Sequence, residues 1–183
     1  MHLSIRTVFL WALVVGFCLS IWFTLLLKHE SRQSIHAIDL TKNTSVSSQL
    51  SPINISDLRI QGFSQIIDFR PDEETPSGAQ SQDISSVAKR AGMKFLYIPV
   101  PRGDAIPKDA VEKYMKANSS LGPNEKELLY CRIGRRAVRV WSVAESQRKN
   151  GLSAEAILKL SAKAGDWTKD LATKVRHNVS ARR

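Results

Sequence analysis

The sequence predicts an α/β fold, a mainly parallel sheet flanked by helices. Three observations carry that prediction. Apolar runs of strand length recur along the chain: QIIDF (65–69), KFLYIPV (94–100) and ELLYC (127–131). Helix-length amphipathic segments separate them, the alternation that parallel strands with crossover helices require. The third run ends in Cys131 and is followed by a glycine-containing turn and a helix. Open α/β sheets place their ligands where strand carboxyl ends meet such turns.

The first element is apolar. Residues 7–27, TVFLWALVVGFCLSIWFTLLL, hold no charge over 21 positions. At 1.5 Å per residue such a helix spans roughly 30 Å, the thickness of a bilayer core. Trp11 and Trp22 sit near its ends, where amphipathic rings are favoured. Lys28-His29-Glu30 follows instead of a small-residue cleavage site, so we expect an uncleaved single-pass membrane anchor after a tail at 1–6, not a removed signal peptide. Orientation stays open. Lys28, Arg32 and Lys42 outnumber Arg6 across the span, but Glu30 and Asp39 dilute them. Residues 28–54 are polar and rich in Ser, Thr, Asn and Gln, with a juxtamembrane linker expected over 28–44.

Ser56 can cap a short helix, DLRIQGF (57–63). QIIDF is a buried strand, and RPDEETPSGAQS (70–81) is a long polar loop. Residues 83–91 are helical, with Gly92 as the stop. The second strand is closed by Pro99 and Pro101, and RGDAIP leads to a helix at 108–117 that puts Val111, Tyr114 and Met115 on one face. After the turn LGPNEK comes the third strand. A helix starts at about Ala137. Ser153 caps another that ends at Gly165. WTKDLATKVRHNV (167–179) has helical character, while the basic stretch 171–183 is expected to be a solvated tail.

The net charge of +10 favours anionic partners. No nucleic-acid-binding motif accompanies it, so nucleic acid is not expected as a partner. The four His residues show no metal-ligand spacing, and neither a metal nor another cofactor is expected. The two cysteines, Cys18 and Cys131, make no disulfide scaffold.

Residues 127–141, ELLYCRIGRRAVRVW, carry the chemistry. A strand delivers Cys131 to the loop Arg132-Ile133-Gly134-Arg135-Arg136. Loop N–H groups and the helix N-terminus would converge on one spot and hold an anion there. The same field favours the thiolate, the nucleophilic form of cysteine. Arg136 can fork onto two oxygens of an oxyanion. Gly134 stands where the backbone needs positive φ or close approach. A lone Cys at a strand end is otherwise a small buried hydrophobe; the Gly and Arg that follow at fixed spacing shift the reading to an anion-binding loop.

These residues resemble the bacterial beta-lactamase-hydrolase-like phosphatase family, a branch of the dual-specificity tyrosine phosphatase-like fold whose members have also been labelled sulfur transferases. Three segments carry the match: 47–74, with Arg70-Pro71-Asp72; 91–100, AGMKFLYIPV; and 130–141, YCRIGRRAVRVW. The resemblance spans about 45–170, taken as the phosphatase-like domain. It implies a bacterial protein and a phosphorylated protein or small phosphoester as substrate; it says nothing about the anchor, which the apolar run at 7–27 places, in a bacterial chain, in the inner membrane. It implies that Cys131 attacks phosphorus, that the N–H groups of Arg132, Ile133, Gly134, Arg135 and Arg136 hold the phosphoryl oxygens together with the Arg136 side chain, and that a carboxylic acid protonates the leaving oxygen. Asp104 and Asp72 are both candidates for that acid, with Asp104, 27 residues before Cys131, slightly ahead. Arg70 would orient the loop, bind substrate or pair with a carboxylate.

The chain also departs from the family pattern. Ile133 and Ala137 replace serines that would place a hydroxyl near the thiolate. Tyr130 stands where many phosphatases have His, and Ser48 replaces a Gly. The loop has one residue fewer between Cys131 and Arg136 than usual tyrosine phosphatases. This keeps two alternatives open: a rhodanese-like persulfide sulfurtransferase using Cys131, and a catalytically degenerate phospho-binding domain.

Overall fold

Five strands make one sheet in the order β1-β2-β5-β3-β4. The computed structural model describes residues 5–30, 35–103 and 105–182, in two units, Met1–Ser34 and Ile35–Arg183. The first unit contains helix α1 (Ile5–Glu30). Its described side chains include Trp11, Phe17, Trp22 and Phe23, all largely exposed. Among the described residues no helix is long and apolar enough to cross a membrane, so the structure gives the expected span at 7–27 no support.

The second unit holds the sheet. β3 (Phe63–Asp68), β4 (Lys94–Tyr97) and β5 (Lys126–Tyr130) coincide with the three apolar runs and pair in parallel, β5 beside β3 and β3 beside β4. Successive side chains point to opposite faces. Ile67 and Leu129 therefore join one core, and Ile66, Leu128 and Tyr130 join another. Burial on both faces explains why β3 and β5 read as continuous apolar runs instead of alternating ones.

The first core is covered by α4 (Lys108–Ser119), α5 (Arg135–Gln147), α6 (Ala154–Lys163) and α7 (Lys169–Ala181), with α5 packed against the other three. The second lies under α2 (Ile55–Ile60) and α3 (Ser81–Arg90). Ser153 caps α6 as expected, its hydroxyl accepting from the Ala156 N–H at 3.2 Å, and Gly165 follows the helix at φ +89°.

α2 begins at Ile55 after Asn54, so Ser56 lies inside the helix and does not cap it. Two larger stretches also differ from expectation. The expected linker at 28–44 is folded from Ile35 on, and β1 (Ile38–Asp39) runs antiparallel to β2 (Thr44–Ser47), which joins β5 in parallel. β2 is TSVS, buried at every position yet mostly polar. Its hydroxyls are satisfied sideways: Thr44 donates to the Glu127 carboxylate at 3.1 Å and Ser45 to Asp39 at 2.7 Å. Hydropathy cannot show such a strand, because hydrogen bonds do the work that apolar side chains do elsewhere. The expected tail at 171–183 is likewise mostly helix α7, which buries Leu171, Val175 and Val179. Arg182 then donates to the carbonyls of Glu145, Arg148 and Gly151.

Candidate active site

The loop after β5 is the centre of the site. β5 ends at Tyr130, so Cys131 leaves the sheet at its carboxyl edge, almost fully buried. α5 begins at Arg135, earlier than the expected Ala137, and Gly134 caps it in the left-handed region at φ +86°. A Cβ on Gly134 would lie 3.5 Å from the Ser47 carbonyl oxygen and 3.6 Å from Val46 Cγ2. The left-handed backbone is what excludes a side chain there; the contacts themselves are ordinary. β2 is thus the wall behind the loop, and the Gln49 N–H donates to the Arg132 carbonyl at 3.3 Å to tie the two together.

A cavity of about 340 Å³ opens over Cys131. Its lining is Arg102, Gly103, Cys131, Arg132, Ile133, Arg135, Arg136 and Arg139. Cys131, Arg136 and Arg139 are the shielded part of this lining, while Arg132, Ile133 and Arg135 are exposed. The structure therefore brings together Cys131 and all five predicted phosphate-loop residues except Gly134, which lies behind, against β2.

Arg136 is held by a residue that sequence reasoning missed. Its Nη1 donates to Glu74 Oε1 at 3.2 Å and to the Val100 carbonyl at 2.7 Å, and its Nη2 donates to Glu74 Oε2 at 2.9 Å. A guanidinium has five N–H groups, and three are accounted for here. The Nε–H and the second Nη2–H remain. They lie parallel on one side of the group, the arrangement that accepts two oxygens of an anion. Glu74 also pairs with Arg102 at 3.0 Å. Partial burial would push the Glu74 carboxyl up, but the hydrogen bonds from Arg136 and Arg102 outweigh it and hold it below the usual range. Glu74 is therefore ionised at neutral pH and carries no proton to give. Its only trace in the sequence is the acidic triplet 72–74 beside Arg70-Pro71.

Asp72 and Arg70 serve the same loop. Asp72 Oδ1 accepts from the Ser81 N–H at 2.7 Å and Oδ2 from the Ser81 hydroxyl at 2.6 Å, so the carboxylate fastens the loop to the start of α3. Asp72 is not among the residues lining the cavity. Arg70 donates from Nη1 to Gln49 Oε1 at 2.9 Å and from Nη2 to the Glu74 carbonyl. It fixes the backbone that presents Glu74. Asp104 lies outside the described residues.

On the far side, Arg139 is clamped by buried Asp166 at 2.6 Å and by the Thr168 hydroxyl at 2.8 Å. Arg135 reaches the same carboxylate at 3.7 Å. Behind the loop, Tyr130 faces Asp68 across the β5–β3 pair. Burial lifts the Asp68 carboxyl to about 6, against the Arg70 N–H that donates to it at 2.8 Å. A carboxyl raised in the folded state keeps its proton longer than in the unfolded chain. Its contribution to stability is full below about pH 4 and is lost as pH rises through about 6. Asp68→Asn is expected to flatten the fall in melting temperature between pH 4 and 7. Buried Glu127, also raised by desolvation, leaves a residual slope. An unchanged slope would refute this assignment.

The comparisons with known proteins meet this geometry. The family model described as "Beta-lactamase hydrolase-like protein, phosphatase-like domain" matches residues 37–148, more than half of the chain. The chain belongs to this family. A beta-lactamase hydrolase-like protein of Xylella fastidiosa is 24% identical over 108 residues, which is 59% of this chain and 24% of that protein. The chain thus matches about a quarter of the length of that curated relative. The crystal structure of a candidate phosphatase from Neisseria meningitidis superposes with a TM-score of 0.64 at 24% identity, covering 77% of this chain and 96% of that one. A kinase-associated phosphatase, with its catalytic-site cysteine replaced by serine, superposes at 0.61 and 14% identity, over 80% and 96%. The fold of this phosphatase-like domain is therefore the α/β fold of tyrosine phosphatase-like proteins, its mainly parallel sheet flanked by helices as the sequence predicts.

Proposed function

We propose that the chain is a cysteine-dependent phosphatase that cleaves phosphomonoesters through a Cys131 thiophosphoryl intermediate. The observation that carries this reading is the free side fork of Arg136, with its end held by Glu74, lining one cavity with Cys131. In the first step the Cys131 sulfur attacks phosphorus, the S–P bond forms and the ester P–O bond breaks. Loop N–H groups and the Arg136 fork hold the equatorial oxygens where charge develops. The leaving oxygen takes a proton from a carboxylic acid. Asp104 fits that role better than Asp72, because it follows Gly103, a cavity residue, whereas Ser81 occupies both Asp72 oxygens. Water then gives a proton back to the acid's carboxylate and breaks the S–P bond, releasing phosphate and restoring the thiolate. Phosphoproteins, on tyrosine or with dual specificity, and small phosphoesters are the range this chemistry allows.

The test is the full chain in detergent, incubated with a fluorogenic aryl phosphate and separately with thiosulfate plus cyanide. Phosphate release is the expected result. Thiocyanate in its place would move Cys131 to persulfide transfer, and silence in both assays would leave a phospho-binding domain.

Residues 7–27 complete the reading as a membrane attachment of bacterial type. Its support is a run of 21 positions without charge inside the 26-residue α1, with Trp11, Phe17, Trp22 and Phe23 exposed and needing an apolar surrounding. The expected outcome is that the chain stays with membranes through high salt and alkaline carbonate and leaves only with detergent. Release by salt alone would refute the attachment.

A further inference from the structure

We infer that the site selects a small, polyol-type phosphomonoester carrying a second phosphate close to the one that is cleaved. This inference rests on the phosphatase reading above and names its substrate class.

The argument begins with the division of labour in the cavity. The reacting phosphoryl group needs the loop N–H groups and Arg136. Arg139 is engaged by Asp166 and Thr168. The mouth holds three more guanidiniums. Arg102 is 66% exposed in its side chain and leans on Glu74. Arg135 is 45% exposed and reaches Asp166 only at 3.7 Å, beyond hydrogen-bond distance. Arg132 is exposed and has no carboxylate partner among the described residues. Arg132 and Arg135 flank Ile133-Gly134 on the loop itself, so an anion held by them lies close to the phosphoryl group over Cys131. Arg135 makes no hydrogen bond to buried Asp166, which Arg139 already holds at 2.6 Å, so Arg132 and the half-exposed Arg135 can turn to a ligand.

The rest of the lining says what joins the two phosphates. Among the described residues the cavity has no aromatic side chain, and Ile133 is its one large apolar side chain. The side chains around Cys131 and Ile133 are arginines, whose N–H donors serve hydroxyl oxygens as well as phosphate oxygens. A volume of about 340 Å³ exceeds what one phosphoryl group fills and lies at the lower end of small-ligand pockets. A hydroxylated carbon skeleton with a neighbouring phosphate suits walls built of arginine stems that end in cationic donors. It also suits Arg over Lys, since planar forks match phosphate oxygens in pairs. Such a compound can be free in solution or be the headgroup of a lipid.

The experiment compares kcat/KM of the full chain in detergent for inositol monophosphate and for inositol bisphosphate with adjacent phosphates. A parallel arm presents the same bisphosphate headgroup as a lipid in phosphatidylcholine vesicles. The expected result is a preference of about tenfold or more for the bisphosphate, carried by KM and shrinking as salt rises. Arg132→Gln and Arg135→Gln should collapse this ratio toward one. Faster cleavage in the vesicle arm identifies the lipid source, and faster cleavage in solution identifies the free compound. Equal kcat/KM values, or a ratio that both variants leave intact, overturn the inference while aryl phosphate cleavage still upholds the phosphatase reading. If no phosphoester is cleaved, the phosphatase reading fails on its own. Calorimetric binding of the two inositol phosphates to Cys131→Ser then decides this one: a tenfold preference sustains the second-anion site, and equal affinity removes it.

Discussion

Replacing Cys131 by serine is expected to reduce phosphate release by roughly 10³-fold or more while leaving the fold in place. The side chain is buried and belongs to the core beneath α5, and serine is slightly smaller, so packing changes little. The nucleophile changes greatly. A hydroxyl needs a base, and among the described residues the cavity lining holds no histidine or carboxylate to act as one. The oxygen would stay protonated at neutral pH. Binding should survive, because the loop N–H groups and Arg136 are untouched. The measurement is phosphate release, thermal unfolding and inorganic phosphate affinity on the same variant. Activity retained with serine would end the thiophosphoryl mechanism.

Arg136→Lys should cost about 10²–10³-fold in kcat/KM, although the charge is conserved. An ammonium cannot hold Glu74 with one edge and offer a parallel pair of N–H groups on another. Lysine must choose between the Glu74 carboxylate, the Val100 carbonyl and the substrate, all of which Arg136 serves from one planar group. The loss should appear in phosphate affinity as well as in turnover. A variant that binds phosphate as tightly as the natural chain would show that Arg136 is not the oxyanion ligand, whatever its effect on stability.

The parts of the fold that were legible in the sequence are those built by apolar burial. QIIDF and ELLYC announce β3 and β5 because both faces of the sheet are covered there, while KFLYIPV announces the edge strand β4, which is only partly buried. Ser153 and Gly165 announce the ends of α6 by their capping chemistry. Where polar bonds hold the structure the signal fades. β2 hides in a Ser/Thr-rich stretch because Thr44 and Ser45 are satisfied by carboxylates 83 and 6 residues away along the chain. α7 shows its helical character over 167–179, but its charge hides its docking, since one Leu and two Val on a single face suffice to hold it. In the site, Cys131, Gly134 and Arg136 were legible as a local motif. Glu74 was not, since it meets Arg136 across 62 residues of sequence and nothing local marks one acid of a triplet over the next.

The Glu74 clamp also has a thermodynamic consequence. A free arginine side chain carries about 2 kcal/mol of rotamer entropy, and a ligand that must immobilise it loses that much affinity. Here Glu74 and the Val100 carbonyl fix the Arg136 guanidinium during folding. An arriving anion meets a fork already aimed, and its departure lets nothing relax. In the proposed phosphatase, affinity for the substrate and for the released phosphate would rise together, so the clamp would favour capture at low concentration and make inhibition by product its natural companion.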